Sequence, residues 1–302
     1  MKHLALLISL LLPTLGAAEP LKVVTTLPTF AAITAAIAGE RAEVSAIVPP
    51  QFNPHFIEPR PSDVLRVKRC DLFIHTGLDL EVWREPLVNR SGNLRVRPGG
   101  DRVLDLSSTG VRLLEIPIRP LSRAEGDIHL HGNPHYWHDP ENGLIMARAI
   151  AGKLAAIDPD HAGEYEAALA RFERALRSAM ARWQDELRPS AGRALIGYHN
   201  EWAYLMKFLG LRMEQFIEPK PGIPPSPRHL EMLMSYIRSE RIPATVQASF
   251  YPTDAAEKLG EHTGLRLAVL CQNVGELPAC TDYLSMFEHN VSTLREAMTP
   301  SA

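Results

Sequence analysis

One amphipathic segment, Asp160 to Arg188, divides this chain. Its larger apolar residues are Tyr165, Leu169, Phe172, Leu176, Met180, Trp183 and Leu187, spaced 4, 3, 4, 4, 3 and 4 apart, which traces one stripe of an α-helix. At about 1.5 Å per residue, roughly 25 residues reach nearly 40 Å. Such a helix is either a stiff strut between two bodies or a solvated helix packed on one of them.

The grammar on both sides is the same. Before the segment, Leu21 to Thr26 reads as a strand, Phe30 to Ala38 as a helix, Ala42 to Val48 as a strand, Pro61 to Arg69 as a helix and Leu72 to Thr76 as a strand. After it, strands are expected at Arg193 to Tyr198, Ala244 to Ala248 and Leu267 to Leu270, with helices at Glu201 to Leu209, Ser226 to Ser239 and Asp254 to Thr263. Strands alternating with helices imply parallel sheets covered on their faces, an α/β class. The expected layout is an N-terminal lobe over 19–158, a linking helix over 159–188 and a C-terminal lobe over 189–302. A length of 302 residues suits two lobes. No close internal sequence repeat relates them. The formal charge, 32 − 35 = −3, gives no basic footprint, so nucleic acid is not an expected partner.

The first 18 residues read as a secretory signal. Lys2 and His3 precede the apolar run Leu4 to Leu12, and the small residues Gly16, Ala17 and Ala18 follow. That run is too short to span a bilayer. No cysteine stands near the expected cleavage point to carry a lipid, so the mature chain is expected free in a bacterial periplasm. In such an oxidising compartment Cys271 and Cys280, nine apart around Gly275 and Pro278, would close a small loop. Cys70, at a helix end running into a strand, reads as a buried inert thiol.

Chemistry concentrates on histidine, of which the chain has 12. His55 and His135 each complete the tripeptide Asn-Pro-His, in which proline restricts the approach of the chain. His199 stands just beyond an apolar strand, where parallel sheets place ligand-binding residues. Three imidazoles converging from distant positions suit a zinc or manganese ion. Taken singly, each reads better as a surface or capping histidine; together, in paired motifs, they point to metal. HExxH, CxxC, GxGxxG and P-loop signatures are absent, as is a serine nucleophile elbow.

The stretch Val48 to Asp63, with Asn53-Pro54-His55 at its centre, closely resembles the first metal-ligand motif of the substrate-binding proteins of zinc and manganese ABC transporters. Further resemblances follow in that family's order: Gly77-Leu78-Asp79-Leu80-Glu81 with Trp83, then Asn133 to Pro140, then Tyr198-His199, then the proline-rich Glu218 to Ser226. The resemblance implies His55, His135 and His199 as metal ligands, two α/β lobes joined by one rigid helix, and a metal held between them. It also implies a non-catalytic monomer that hands its ion, zinc or alternatively manganese, to a membrane permease powered by a separate ATPase.

The chain departs from the family in two places. Where many members carry an aspartate as fourth ligand, this sequence reads Val269-Leu270-Cys271-Gln272-Asn273-Val274-Gly275, leaving Gln272, Glu276, Asp282 or water as candidates. Three nitrogens without a carboxylate favour zinc. The histidine-rich insertion of zinc-specific relatives is reduced to Asp127-Ile128-His129-Leu130-His131-Gly132, either a weak capture site or a surface loop. His138 reads as a group that supports a ligand or caps a helix, and His75 as a cleft-edge or core residue. Trp137 and Trp202 read as packing that shields the site. Glu58 and Asp63 either orient His55 or cap the helix beginning near Pro61. The rival functions are a secreted zinc hydrolase with Glu201 as general base, a surface adhesin and a zinc chaperone.

Overall fold

The computed structural model describes residues 19–114, 131–220 and 222–299. The leader and His129 lie outside them. Two four-stranded sheets, every strand pairing parallel, form the two lobes. The first holds β1 (Leu21–Thr25), β2 (Ala42–Ala46), β3 (Leu72–His75) and β4 (Val103–Asp105), in the order β2-β1-β3-β4. The second holds β5 (Ala194–Gly197), β6 (Arg212–Phe216), β7 (Ala244–Ala248) and β8 (Arg266–Leu270), in the order β6-β5-β7-β8. The lobes thus share one strand order without sharing a sequence. Position in the sheet explains composition: inner strands such as Leu72-Phe73-Ile74-His75 are buried throughout, whereas edge strands β2 and β6 are partly exposed.

Nine α-helices occur among the described residues: α1 (Pro28–Ala38), α2 (Pro61–Arg69), α3 (Arg84–Ser91), α4 (Pro140–Ile157), α5 (Ala162–Leu187), α6 (Ala203–Leu209), α7 (Pro227–Glu240), α8 (Asp254–Thr263) and α9 (Tyr283–Met298). The periodic segment is α5, whose 26 residues run about 39 Å. It is not a bare strut. One flank lies on α1 and α4 of the first lobe and the other on α6 and α9 of the second. The predicted stripe is the packed face: Tyr165, Leu176, Trp183 and Leu187 are fully enclosed, and Trp183 stacks on Phe287 of α9 at 5.2 Å. One apolar core therefore runs from β1 through α5 to α9, and a smaller one fills the far side of the second sheet.

Two differences from the sequence reading matter for the site. Helix α6 begins at Ala203 rather than Glu201, because Trp202 takes the N-cap position and the Glu201 side chain bonds to Gln272. Asp282 is no ligand candidate. It is exposed and caps α9, exchanging hydrogen bonds with Ser285 in a capping box. Cys271 and Cys280 are disulfide-bonded. Cys70 is buried, and burial, with Asp71 beside it, pushes its thiol up to about 12.

Candidate metal centre

The two Asn-Pro-His tripeptides build the same device. In each, the asparagine Oδ1 accepts a hydrogen bond from the histidine backbone N–H two residues on, at 3.0 Å, which closes a tight turn and fixes where the imidazole starts. Indoles hold both turns. Trp83 Nε1 donates to the Pro54 carbonyl at 2.8 Å, and Trp137 Nε1 donates to the Gln272 carbonyl at 2.9 Å. Tyr204 donates to the Asn133 carbonyl at 2.6 Å. The Asn133 amide donates to the Asn200 carbonyl at 2.8 Å, tying the second turn to the loop that carries the third histidine.

These supports bring His55, His135 and His199 together. All three are buried, and one donor nitrogen from each lies within 4.8 Å of the other two. Ring centroids are 5.2, 5.6 and 5.4 Å apart, and His55 Nε2 stands 3.2 Å from His135 Nε2. Two nitrogens on a tetrahedral zinc at 2.0–2.1 Å are separated by about 3.3 Å, so this spacing fits one ion between the rings. In His135 and His199 the other ring nitrogen is engaged: His135 Nδ1 donates to Asn133 Oδ1 at 2.9 Å and His199 Nδ1 to Glu218 Oε1 at 2.5 Å. Each bond sets a tautomer that leaves Nε2 unprotonated and able to take a metal ion.

No carboxylate joins that set among the described residues. The candidates near β8 are occupied elsewhere. Gln272 donates through Nε2 to Glu201 Oε2 at 2.7 Å. Glu276 accepts from the Ser249 amide at 2.7 Å and from the Gln272 and Asn273 amides at 2.6 and 3.2 Å, so it shapes its own loop. Glu201 is wholly buried, and desolvation, then the charges of Glu276 and Glu218, raises its carboxyl well above the usual range. A cavity of about 170 Å³ opens beside His55 and His199, walled by Asn53, Phe56, Tyr198, Ile223 and Tyr251. A larger groove of about 760 Å³ runs along the β2 edge, and none of the three histidines lines it.

His138 and His75 are accounted for by packing. His138 is fully buried, edge-on to Trp202 at 4.5 Å, and it caps nothing, because Asp139 provides the N-cap of α4. His75 is buried at the end of β3, and His131 is exposed. Asp63 accepts from the Arg60 amide at 2.7 Å and so caps α2, while Glu58 is exposed. Glu218 is the residue whose role sequence reasoning missed: it was visible only as part of a proline-rich segment, and its bond to His199 spans 19 residues across β6.

The family profile described as "Zinc-uptake complex component A periplasmic" matches residues 23–297. The chain belongs to that family. Its members are metal-binding substrate-binding proteins of ABC transporters. The chain is 27% identical over 286 residues to the iron-binding protein YfeA of Yersinia pestis, covering 92% of this chain and 86% of that protein. It is 27% identical over 235 residues to the manganese ABC transporter substrate-binding lipoprotein PsaA of Streptococcus pneumoniae, covering 76% and 72%. A crystal structure of a zinc-bound ZnuA deletion mutant superposes with a TM-score of 0.79 at 24% identity, covering 94% of this chain and all of that one, and shares the fold. This member of the family has no described helix long and apolar enough to cross a membrane.

Proposed function

We propose that this chain is a periplasmic zinc-binding protein that captures the ion with high affinity and delivers it to the permease of an ABC transporter. The observation that carries the choice of zinc is the donor set: three buried imidazoles and, among the described residues, no carboxylate. Relatives are named for iron, manganese and zinc, so family alone does not choose the metal. Ligand chemistry favours zinc. Nitrogen donors bind zinc more tightly than manganese or iron, and manganese favours oxygen-rich shells. His55, His135 and His199 are the proposed ligands, with solvent from the adjoining cavity completing a tetrahedron.

In this reading the protein catalyses nothing, acts as a monomer, and reaches the periplasm through a cleaved leader. Capture requires unprotonated imidazoles, so zinc affinity falls on acidification. Release falls to the permease, which draws the ion through the cavity lined by His55 and His199. Competition titration of the metal-free mature chain with zinc and manganese, beside His55→Ala, His135→Ala and His199→Ala, tests this. One tight zinc equivalent, weakened by each substitution and poorly displaced by manganese, is expected. Equal or tighter manganese binding would overturn the zinc assignment.

A further inference from the structure

The carboxylate of Glu218 does two things at once. Its Oε1 accepts from His199 Nδ1 at 2.5 Å, and its Oε2 accepts from the Gly222 backbone N–H at 3.1 Å. Gly222 lies in a tight turn in which the Ile223 N–H donates to the Lys220 carbonyl at 2.9 Å. Its φ of +76° favours glycine. The same glycine approaches the other ligand turn: a Cβ added there would sit 3.7 Å from Cζ of Phe56, the neighbour of His55. The turn then presents Ile223, 46% exposed, beside Phe56, 65% exposed, at the rim of the cavity that His55 and His199 line.

We infer that Glu218 is a positioning residue that couples occupancy of His199 to the order of Gly222 and Ile223, so that the rim of this cavity reports whether metal is bound. The inference rests on the metal-site reading above. An ion on Nε2 withdraws electron density from the imidazole and makes Nδ1–H a stronger donor. The shorter, firmer bond fixes the carboxylate plane. A fixed carboxylate in turn holds the Gly222 N–H, and with it the exposed Ile223. No other hydrogen bond from the Gly222 amide competes among those seen.

Glu218→Gln separates this from simple packing, because glutamine keeps the size but offers one oxygen for two donors. Amide hydrogen exchange of the peptide spanning Gly222 and Ile223 is followed with and without saturating zinc, alongside zinc titration. In the unaltered chain zinc slows exchange there. In the Glu218→Gln variant zinc still binds, about 10–100-fold more weakly, as expected when the carboxylate behind a ligand is lost, and at saturation it no longer slows exchange in the turn. Ile223→Ser, which touches neither bond made by the Glu218 side chain, is expected to keep both the affinity and the zinc-dependent slowing at Gly222. Equal slowing in Glu218→Gln at saturation, or unchanged affinity, overturns the coupling and leaves the zinc reading standing. Failure of the unaltered chain to take up zinc overturns both.

Discussion

Replacing His138 by phenylalanine removes a titration that the fold suppresses. The imidazole is enclosed between Trp137 and Trp202, with ring centroids at 5.0 and 4.5 Å, and its Nε2 has no hydrogen-bond partner among the described residues. Burial lowers its pKa from 6.5 to about 3. In the unfolded chain the same ring takes up a proton near its ordinary value. Between those limits the unfolded state holds one proton more than the folded state, so the stability this ring contributes is intact above pH 6.5 and is lost as pH falls. The slope is about 1.4 kcal/mol per pH unit for one group. Between pH 7 and pH 5 the parent should therefore lose about 2 kcal/mol more than the His138→Phe variant. Urea denaturation of both metal-free proteins at pH 7, 6 and 5 measures it. Taking the difference between the two proteins cancels the remaining groups that titrate in this range, among them His75, which burial and then Arg84 lower to about 3, and Glu276, which burial raises. Parallel stability curves across the three pH values would refute the reasoning.

Cys271→Ala with Cys280→Ala opens a loop whose ends are nine apart, and chain entropy puts the loss near 3 kcal/mol, readable as a fall in the urea midpoint under oxidising conditions. Because Trp137 hangs from the Gln272 carbonyl in that loop, zinc affinity of the double variant should fall as well, which titration checks. Trp83→Phe keeps the ring but frees the Pro54 carbonyl; about 1 kcal/mol of stability and a several-fold loss of zinc affinity are expected, and a variant that matches the parent in both would break the link between that indole and His55. Leu176→Ala cuts into the fully buried face of α5, where large-to-small changes cost about 2–5 kcal/mol, seen as a lowered denaturation midpoint without a change in the number of zinc equivalents.

Much of this architecture is legible in the residues. The strands whose apolar runs are continuous, such as Leu72-Phe73-Ile74 and Ala194-Leu195-Ile196, announce themselves, and the 4-3 spacing of α5 marks the face that packs. The paired Asn-Pro-His tripeptides mark two of the histidines that meet, because their turn chemistry is local. What escapes is set by distance. Helix α9 hides because its buried face includes Asn290, whose amide is spent on the Cys271 backbone, and its Asp282 cap looks like a free carboxylate until Ser285 is seen to answer it. Strand β6 carries Glu214 and Gln215 on an exposed edge, and its pairing with β5 shifts register between Leu195 and Ile196, so its pattern is broken. Glu276 resembles a ligand by type, yet three backbone amides take its oxygens. Such assignments depend on which groups meet across the fold.

The shared core along α5 also bears on how fast such a protein can give up what it holds. Halves that pack on one another cannot swing apart without exposing Trp183, Leu176 and the face of α9 to water. If the proposed metal site is right, the residence time of the ion should be governed by a handful of bonds at the ends of the histidine turns, among them those of Asn53, Trp83 and Glu218. Lifetime and folding become separable properties of one chain. On the proposed metal reading, a substitution such as Glu218→Gln is expected to shorten the lifetime of the loaded state far more than it lowers the melting temperature.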